Sequence, residues 1–576
     1  MLYLIIEFPD THVLIFTYGG EISMLAILCR IFQFFFGMAV KILPWRTPVI
    51  VDGAGSISRI PELLQKQKAA KPLIVTDNGL VKLGLAGKIT EILDKAGIPY
   101  ILFGDVEANP SVNTVNAIQQ CYLKEGCAGF IALGGGSPMD AAKAAAARVV
   151  RPKKAVNKMG GLFQVLKRLP PFFAIPTTAG TGSETTLAAL ITDTDTHHKY
   201  AIMDLSIIPH FAILDPELTV GLPPSISAAT GMDALTHAVE AYLCWTANTR
   251  QTIRYEYEAV QAIFENLEKV FADGKNIEAR HAMLLASFKA GFAFTRSGVG
   301  NIHAIAHTLG GLYNTPHGLA NAVILPIVLD DYGKKVHKKL ARLADAAGLV
   351  QKGAVKTNAE KARIFIDAIY GMNKRMGIPL GFDFIKDDDI PQMTKWAAKE
   401  SNPIYPVPVV YNRARYRSVI ETVRANSKKS AVRQEGKMSY HITEACIVCT
   451  ACVKSCPVFA ISGEKNSLHS INEKRCVACG VCGMICMKSA VTDSAGKTCS
   501  PVKRADWPKP KINTKICSAC QICVNDCTAG ALRISLPQFQ GDINVYAELF
   551  DSRRCVGCGI CRQHCLIEAI TMEAAV

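Results

Sequence analysis

Four short cysteine motifs are the part of this sequence whose spacing points most directly to a chemistry. Each reads Cys-x2-Cys-x2-Cys-x3-Cys, and the motifs begin at Cys446, Cys476, Cys517 and Cys555. They contain sixteen of the 21 cysteines, and the others show no pairing pattern, which disfavours disulfides. Zinc sites more often use separated pairs of cysteines, so the spacing favours four-iron clusters over zinc sites or plain buried cysteines.

The spacing resembles that of bacterial two-cluster ferredoxins, in which the fourth cysteine of a motif ligates the cluster of the paired motif. The proline that follows this cysteine in the pattern occurs once here, as Pro457, and its absence elsewhere concerns loop geometry rather than ligation. The resemblance implies four 4Fe-4S clusters with these ligands: Cys446, Cys449, Cys452 and Cys486; Cys476, Cys479, Cys482 and Cys456; Cys517, Cys520, Cys523 and Cys565; Cys555, Cys558, Cys561 and Cys527.

A second group of candidate ligands lies upstream, in "GMDALTHA" and in the histidine-rich stretch from His303 to His317. Asp233 and His237 are four residues apart on an apolar helix, so their side chains share one face. They are either two metal ligands or a buried, mutually satisfied pair. In the second stretch, helical spacing alone favours pairing His303 with His307 rather than with His317.

"GMDALTHAVEAY" and "HAIAHTLGGLYNTPHG" resemble the signatures of the iron-containing, group III alcohol dehydrogenases. The resemblance covers about residues 44–425 and includes "NPIYPVP" near its end. It implies hydride transfer between a primary alcohol and a nicotinamide cofactor, with His307 beside the nicotinamide and substrate as a proton relay. The implied ligands of Fe2+, or of Zn2+ as in some members, are Asp233, His237, His303 and His317.

The stretch "FIALGGGSPMDAAK" predicts a strand, a glycine turn and a helix, without the usual G-x-G-x-x-G fingerprint. We expect Ser137 as the N-cap and Pro138 as the first helical residue. Backbone amides there would bind a pyrophosphate, although an ordinary capped helix has the same pattern. The resemblance assigns this loop to the cofactor, and its candidate contacts are Gly134, Gly135, Gly136, Ser137 and Asp140.

Two further stretches complete the expected nucleotide site. Thr177, Thr178 and Thr181 follow another predicted strand and resemble nucleotide contacts of the same family. Asp77 ends the strand "PLIVTD" and resembles the acid that faces the adenosine ribose. A carboxylate there would accept a hydrogen bond from a 2′-hydroxyl and repel a 2′-phosphate, so we predict NAD rather than NADP.

The elements that must position these residues form several units. Strand–helix alternation predicts an α/β unit with a mostly parallel sheet, and the later helical periodicity predicts an all-helical unit. The family resemblance implies that these are a Rossmann-like nucleotide-binding domain and a metal-binding domain of the dehydroquinate synthase-like fold. The duplicated motifs predict two α+β ferredoxin-like modules. The expected boundaries are an apolar N-terminal extension and helix at 1–43, the NAD domain at 44–191, the iron domain at 192–425, a linker at 426–437, and modules at 438–497 and 498–576.

Composition narrows the function classes. Apolar content of 49% and charged content of 20% are those of a globular protein. The formal charge of +15 falls to about +7 if four clusters of about −2 each are bound, and no interleaved basic and aromatic stripe is present. Nucleic acid is therefore not an expected partner. Cluster chemistry predicts a cytoplasmic, reducing compartment.

The stretch from Met24 to Leu43 is apolar but interrupted by charges, which favours an amphipathic helix packed on the domain or on a second subunit. A weak membrane-surface contact is the alternative. We expect a homo-oligomer that acts on a small alcohol or aldehyde, with a cluster tail that docks a redox protein partner. The rival hypotheses are clusters coupled to the enzyme's own turnover, and an electron carrier whose dehydrogenase part is secondary or vestigial.

Overall fold

The structure is a computed structural model that describes residues 24–193, 198–351, 353, 355–432, 440–463, 468–472, 476–493, 496–514, 516–517, 519, 522–536, 545–563, 565 and 569–573. The chain divides into two compact units, Met1–Ser430 and Ala431–Val576. The first unit holds the candidate catalytic residues and the second holds the cysteine motifs.

A parallel six-stranded sheet forms the centre of the first part of unit 1, in the order β1-β9-β6-β4-β2-β3. A second, three-stranded sheet has the order β5-β8-β7. The strands are β1 (Val49–Asp52), β2 (Pro72–Val75), β3 (Ile101–Phe103), β4 (Gly129–Gly134), β5 (Gly161–Leu162), β6 (Phe172–Pro176), β7 (Ala188–Asp193), β8 (His198–Met203) and β9 (Phe211–Leu214).

The inner strands of the large sheet are apolar on both faces. Every residue of β2, β4, β6 and β9 is buried, as expected when helices cover both sides of a parallel sheet. The carboxyl ends of parallel strands share one edge, so the turns after β2, β4 and β6 come together there. The helices of this part are α2 (Ile60–Lys66), α3 (Asn78–Lys82), α4 (Leu85–Lys95), α5 (Val112–Lys124) and α6 (Gly136–Val150).

The change from strands to helices comes later than the expected boundary at 191/192. β8 and β9 lie beyond it, and β9 pairs with β1 and β6 inside the large sheet. The run "FAIL" of β9 is only four residues long, which is too short for periodicity to separate a buried strand from other apolar runs. The α/β part therefore continues to β9, and the long helices begin at Pro224.

The remainder of unit 1 is helical, as predicted. Its largest apolar core joins residues from most of these helices. The helices are α7 (Pro224–Leu243), α8 (Arg250–Ala272), α9 (Ile277–Ser297), α10 (Asn301–Tyr313), α11 (His317–Tyr332), α12 (His337–Ala346), α13 (Asn358–Arg375), α14 (Ile390–Ser401) and α15 (Arg413–Val432).

Helix α15 shows that the linker expected at 426–437 does not begin at 426. The helix continues to Val432, because the stretch 426–432 contains lysine and alanine and no glycine or proline to end it. Polar composition was a poor guide here, since an exposed helix can be polar on every face. Residues 433–437 of the expected linker lie outside the described residues.

The N-terminal extension contains the predicted helix, α1 (Met24–Ile42), whereas residues 1–23 lie outside the described part. One face of α1 packs on the rest of unit 1: Arg30 donates to the carbonyls of Val407 and Pro408, and Gln33 to that of Tyr405. Among the described residues, α1 is the one helix long and apolar enough to span a bilayer, which alone is weak support for a membrane segment.

Unit 2 contains short strands that pair two by two around the cysteine motifs. β10 pairs with β13 and β11 with β12, whereas β14 pairs with β17 and β15 with β16. The elements are β10 (His441–Ile442), α16 (Ala451–Ser455), β11 (Ile461–Ser462), β12 (Ser470–Ile471), α17 (Val481–Ile485), β13 (Val491–Thr492), β14 (Lys509–Ile512), α18 (Ile522–Asn525), β15 (Leu532–Ile534), β16 (Ala547–Leu549), α19 (Ile560–Gln563) and β17 (Ile570–Glu573).

The strand pairs fall into two sets along the chain. The first set lies within 438–497 and the second within 498–576, and we call these ranges the first and the second module. In each module the first strand pairs antiparallel with the last, so the ends of the module meet. Each module also has its own small apolar cluster that includes cysteines of its two motifs.

Candidate active site and cluster sites

Three helices bring the expected metal ligands together. Asp233 and His237 lie on α7, His303 on α10 and His317 at the start of α11, and one ligand atom of each lies within 4.8 Å of the other three. The first three residues are buried, whereas the His317 side chain is 39% exposed. Among the four ligands, His317 is therefore the one that solvent reaches most readily.

A glycine allows α11 to approach α7 this closely. Gly318 follows His317, and a Cβ atom at this position would overlap the carbonyl oxygen of Ala229 on α7. With no side chain at this point, the start of α11 packs directly on α7. His317 Nε2 then lies 3.6 Å from Asp233 Oδ1.

The amide of Asn321 shows that the ligand atoms face a common centre. Its Nδ2 atom lies 2.7 Å from Asp233 Oδ1, 3.1 Å from His303 Nε2 and 3.2 Å from His317 Nε2. An electropositive amide group therefore contacts three acceptors that could also bind a cation. A carboxylate and imidazole nitrogens are a suitable donor set for Fe2+ or Zn2+. The residues thus fit the divalent ion that the sequence predicts.

Glu240 orients one of these ligands from behind. Its Oε2 atom lies 2.6 Å from His303 Nδ1, and its carboxylate accepts hydrogen bonds from the backbone N–H groups of Gly300 and Ile302. A carboxylate on Nδ1 fixes the ring so that Nε2 faces the centre. Burial raises the pKa of Glu240 to about 7, whereas hydrogen bonds from the backbone N–H groups of Ile302, Gly300 and His303 lower it.

Burial also keeps the ligand imidazoles neutral. It lowers the pKa of His303 well below its ordinary value, and the nearby His237, His317 and His307 lower it further. Burial likewise lowers the pKa of His237. A neutral imidazole has the lone pair that a metal ion needs, so the site is prepared for a cation rather than for bound protons.

His307 lies beside the ligands and outside their set. Its ring stacks on that of His317 with centroids 5.2 Å apart, and its Nδ1 atom lies 2.6 Å from Glu400 Oε1. Tyr405 donates its hydroxyl to the same carboxylate oxygen at 2.7 Å. The His307 side chain is 35% exposed. This geometry, with Nδ1 held and the ring open to solvent, suits a proton relay.

The glycine turn after β4 and the threonine loop after β6 lie face to face. β4 and β6 are parallel neighbours, and the Thr177 N–H donates to the carbonyl of Gly134 at 3.0 Å. A Cβ on Gly135 would lie 3.5 Å from Thr178 Oγ1, and one on Gly136 would lie 3.2 Å from Thr181 Cγ2. The two loops thus line one edge of the sheet.

The start of α6 differs from the expectation at two residues. The helix begins at Gly136 with Gly135 as its N-cap, so Ser137 is not the cap and Pro138 is not the first helical residue. The extended backbone of Gly135 starts the helix without a capping side chain, and Ser137 Oγ instead accepts from the Asn109 N–H at 3.4 Å. The helix N-terminus, with its unpaired first N–H groups, still faces the edge of the sheet.

The carboxylate of Asp140 is hydrogen-bonded to the segment that follows β6. It accepts from Ser183 Oγ at 2.8 Å and from the Leu190 N–H at 3.0 Å. One turn later on α6, the buried Lys143 donates to Ser183 Oγ and to the carbonyls of Thr186 and Ala188. These bonds tie α6 to the segment after β6. The described contacts therefore make Asp140 a loop-fixing residue.

Asp77 lies at the same sheet edge, where β2 ends. Its Oδ1 atom accepts from the Leu80 N–H at 2.9 Å, so it is the N-cap of α3. β2 pairs with β4, which places Asp77 next to the glycine turn. Capping uses one carboxylate oxygen and is compatible with a contact of the other oxygen to a ribose.

The threonine loop also touches the metal helix. A Cβ on Gly180 would lie 2.7 Å from Thr230 Cβ, and Thr230 precedes Asp233 by three residues on α7. No side chain separates the loop from the helix at this point. The candidate nucleotide edge and the candidate metal centre are therefore adjacent.

In the first module, the fourth cysteine of one motif lies with the first three of the other. Cys456, Cys476, Cys479 and Cys482 line one cavity, together with apolar residues such as Ile461. Burial raises the pKa of Cys479 to about 11, and the neighbouring Cys456 and Cys476 add to the effect. Four thiols around one cavity fit a cluster with the expected crossed ligands.

The second module repeats the arrangement. Burial raises the pKa of Cys558, and the neighbouring Cys555 and Cys527 contribute, so the fourth cysteine of the third motif again lies with the fourth motif. Cys523 and Cys561 are buried in the apolar cluster of this module, beside Cys517 and Cys565. The expected ligand Cys520 lies outside the described residues.

Comparison with known proteins places the first unit in a family. The sequence model for iron-containing alcohol dehydrogenase matches residues 47–216, and that for the C-terminal part of the Fe-containing alcohol dehydrogenase family matches 227–423. The NAD-dependent methanol dehydrogenase of Bacillus methanolicus is 37% identical over 362 residues, which are 62% of this chain and 94% of that protein. The 1,3-propanediol dehydrogenase of Klebsiella pneumoniae is 38% identical over 358 residues, 61% of this chain and 90% of that one.

A solved structure agrees. The crystal structure of 1,3-propanediol oxidoreductase superimposes with a TM-score of 0.64 at 35% identity, covering 66% of this chain and all of that chain. The chain belongs to the iron-containing alcohol dehydrogenase family. The predicted enzyme class is thereby confirmed, and the predicted parallel sheet and helical domain are those of its structural relatives. The two matched segments end at residue 423 and leave the cysteine motifs to be judged on their own geometry.

Four residues of the candidate active site were absent from the sequence-based expectation. Asn321 and Glu240 could have been predicted from helical spacing. Asn321 lies four residues after His317 on α11, and Glu240 lies three residues after His237 on α7. Residues at these spacings share one face of a helix. Glu400 and Tyr405 had no such signal. They are 93 and 98 residues beyond His307, and only the fold brings them to it.

Proposed function

We propose that unit 1 transfers hydride between a small primary alcohol and NAD, and that unit 2 binds four 4Fe-4S clusters that exchange electrons with a redox protein. The observation that carries the first part is the convergence of four ligand atoms within 4.8 Å, next to the loops at the sheet edge. The relatives named for methanol and 1,3-propanediol support a small alcohol as the substrate.

A divalent ion held by Asp233, His237, His303 and His317 would supply Lewis-acid polarisation of the substrate oxygen. The chain itself orients His303 through Glu240 and restricts access to the side where His317 is exposed. Burial of the other three ligands excludes water from the rest of the site, which strengthens every electrostatic interaction there.

The proton of the alcohol leaves through His307. Glu400 holds its Nδ1 atom, so Nε2 is the atom that accepts the proton, and the partial exposure of the ring allows transfer to solvent. Tyr405 fixes Glu400 in turn. His307 therefore acts as the relay and Glu400 as its positioning residue.

NAD binds along the edge formed by the turns after β2, β4 and β6. The pyrophosphate lies at the N-terminus of α6, where Gly134, Gly135 and Gly136 carry no side chains to block it. Thr177, Thr178 and Thr181 line the opposite side, and Asp77 faces the adenosine ribose and disfavours NADP. One relative is named as NAD-dependent, which supports this assignment.

The cluster tail serves a partner protein rather than the hydride step. Hydride transfer moves two electrons together, whereas a four-iron cluster accepts one, and coupling them directly needs a flavin or a similar converter. The sequence shows no flavin site that we recognise. A flavoprotein that regenerates the nicotinamide is the kind of partner that fits both units.

Anaerobic purification of the full chain tests both parts. Iron and sulfide are counted first, and then NADH and small aldehydes are added while the nicotinamide and cluster absorbance bands are followed separately. We expect aldehyde-dependent NADH oxidation without bleaching of the clusters. Bleaching by alcohol plus NAD would instead show that the clusters are coupled to turnover, and iron-loaded protein that leaves NADH unchanged would contradict the dehydrogenase part.

The main alternative is an electron carrier in which the dehydrogenase part is vestigial. The complete ligand set, the positioned Glu240 and the held His307 speak against it, since a site without function has no reason to retain them. A Cys479→Ser variant separates the two functions. We expect it to lose iron and sulfide but to keep alcohol-dependent NAD reduction within about twofold.

We further propose that the enzyme works in the cytoplasm as a homo-oligomer. The side of α1 that faces away from the rest of unit 1 exposes large apolar residues, including Leu28, Ile31 and Phe35. Contact with a second copy through this face fits better than weak membrane-surface contact, because Arg30 and Gln33 anchor the helix to the protein. Light scattering of the chain with Leu28→Ser and Phe35→Ser tests this: the oligomer should dissociate, and unchanged mass with lost vesicle binding would favour the membrane.

A further inference from the structure

One imidazole in the first module lies against two thiols that belong to the same expected cluster. The Nδ1 atom of His469 is 3.7 Å from Cys446 Sγ and 3.7 Å from Cys452 Sγ. The side chain is only 2% exposed. This histidine was not among the candidate residues of the sequence, because it stands alone between two motifs.

The module makes room for this ring. Ser462 and Ser470 form the last pair of the β11–β12 ladder, and Gly463 and His469 come next on either side. A Cβ atom on Gly463 would overlap Cδ2 of His469. The ring therefore occupies the space of the missing side chain, which holds Nδ1 against the thiols.

The second module has the opposite arrangement at the same place. Arg533 and Glu548 correspond to Ser462 and Ser470, and the next pair of that ladder is Ile534 with Ala547. A large and a small residue thus replace the glycine and the histidine. The Ala547 backbone N–H donates to Cys517 Sγ at 3.3 Å, but alanine has no side-chain donor to add.

We propose that His469 raises the reduction potential of the cluster held by Cys446, Cys449, Cys452 and Cys486. The proposal rests on the proposed function, in which unit 2 binds four clusters. A thiolate bound to iron carries no proton and can only accept, so Nδ1 is the donor. Hydrogen bonds to cluster sulfurs stabilise the reduced, more negative form.

The consequence is an asymmetric electron store. The second module has an alanine at this position, so its corresponding cluster, with ligands Cys517, Cys523 and Cys565, lacks the contribution of an imidazole donor. His469 therefore shifts the distribution of electrons within unit 2 toward the cluster beside it. The duplicated module thereby provides two different redox centres from one pattern.

A potentiometric titration of the full chain at fixed pH, followed by electron paramagnetic resonance, tests the assignment. In His469→Ala, and in His469→Leu, which keeps an apolar side chain in the space of the ring but has no donor, one cluster should become harder to reduce. At the wild-type midpoint its ratio of reduced to oxidised form should fall about tenfold, which is about 59 mV for a one-electron couple. The pair Ile534→Gly with Ala547→His should shift a cluster the other way.

His441 provides the control, since it is the exposed histidine on β10 of the same module. His441→Ala should leave every midpoint unchanged. Unchanged midpoints in both His469 variants, with the iron and sulfide content of four clusters, would overturn the proposal. A wild-type chain without that iron and sulfide would instead overturn the proposed function, so the two failures are distinguishable.

Discussion

The proposed catalytic centre and the proposed cluster sites are built in opposite ways. In unit 1, His303 and its partner Glu240 are 63 residues apart, and Asn321 is 88 residues beyond Asp233. In unit 2, three expected ligands of each cluster lie within seven residues. A centre assembled from three long helices depends on the whole fold, whereas a cluster loop depends on a short segment and one partner motif.

The two regions also differ in whether their pattern is repeated along the chain. The short loops of unit 2 occur four times, and a pair of residues between them, Gly463 and His469, can differ from Ile534 and Ala547 without loss of the motif. Among the described residues of unit 1, the ligand set occurs once. We therefore expect the two regions to fail separately and to different degrees.

The largest effect is expected for Asp233→Ala. Loss of a buried ligand removes the divalent ion and its Lewis-acid contribution of several kcal/mol, so kcat should fall by about 10³ or more. Metal analysis and the cluster spectrum check the comparison, since the iron and sulfide of unit 2 should remain. Asp345→Ala, at an exposed carboxylate on α12, should leave kcat and the cluster spectrum unchanged. Loss of the clusters in Asp233→Ala would show that the regions are not independent.

Glu240→Gln should have the next largest effect. The glutamine keeps the shape but loses the charge that holds the Nδ1–H of His303, and such changes typically weaken metal binding about 10- to 100-fold. Competition with a chelator measures the affinity. Glu256→Gln is a matched control: this glutamate is also fully buried, and burial raises its pKa to about 8, so the neutral amide resembles its protonated form. Equal losses in both variants would point to the fold rather than to the ligand.

The effect of Glu400→Gln should be smaller and of a different kind. Without the carboxylate on Nδ1, the ring of His307 loses its fixed tautomer, and kcat should fall about tenfold, a part of the usual contribution of acid–base catalysis. Metal content should not change, because His307 is outside the ligand set. Tyr405→Phe, which removes only the hydroxyl on Glu400, should lower kcat less. A loss of metal in either variant would contradict the separation of relay and ligands.

Much of the fold followed from the sequence, and the exceptions have physical causes. The three strands predicted next to the nucleotide loops are β2, β4 and β6, whose apolar runs end in turn residues. β9 was missed because its four residues carry no periodicity, although it lies inside the sheet. The order of the strands could not be predicted from a single sequence either. β9 is the last strand of this sheet along the chain, yet it lies between β1 and β6.

The site could be predicted only with the help of family resemblance. Spacing alone would have paired His303 with His307. In the structure, His303 and His317 share the ligand group, whereas His307 contacts Glu400. The reason is that the contact between His303 and His317 depends on how α10 and α11 pack together, and residue spacing within one helix does not determine this. Positioning residues such as Glu400 come from distant segments, so no local pattern indicates them.

The smallest expected effect concerns Asp77, where the cap and the charge can be separated. Asparagine is as good an N-cap as aspartate, so Asp77→Asn should keep the bond from the Leu80 N–H and the thermal midpoint. It removes the charge that repels a 2′-phosphate, so the KM for NADP should fall about tenfold relative to that for NAD. Asp94→Asn, at an exposed carboxylate on α4, should change neither value. If Asp77→Asn leaves the ratio of the two KM values unchanged, Asp77 is only a helix cap, and cofactor choice lies elsewhere on this edge of the sheet.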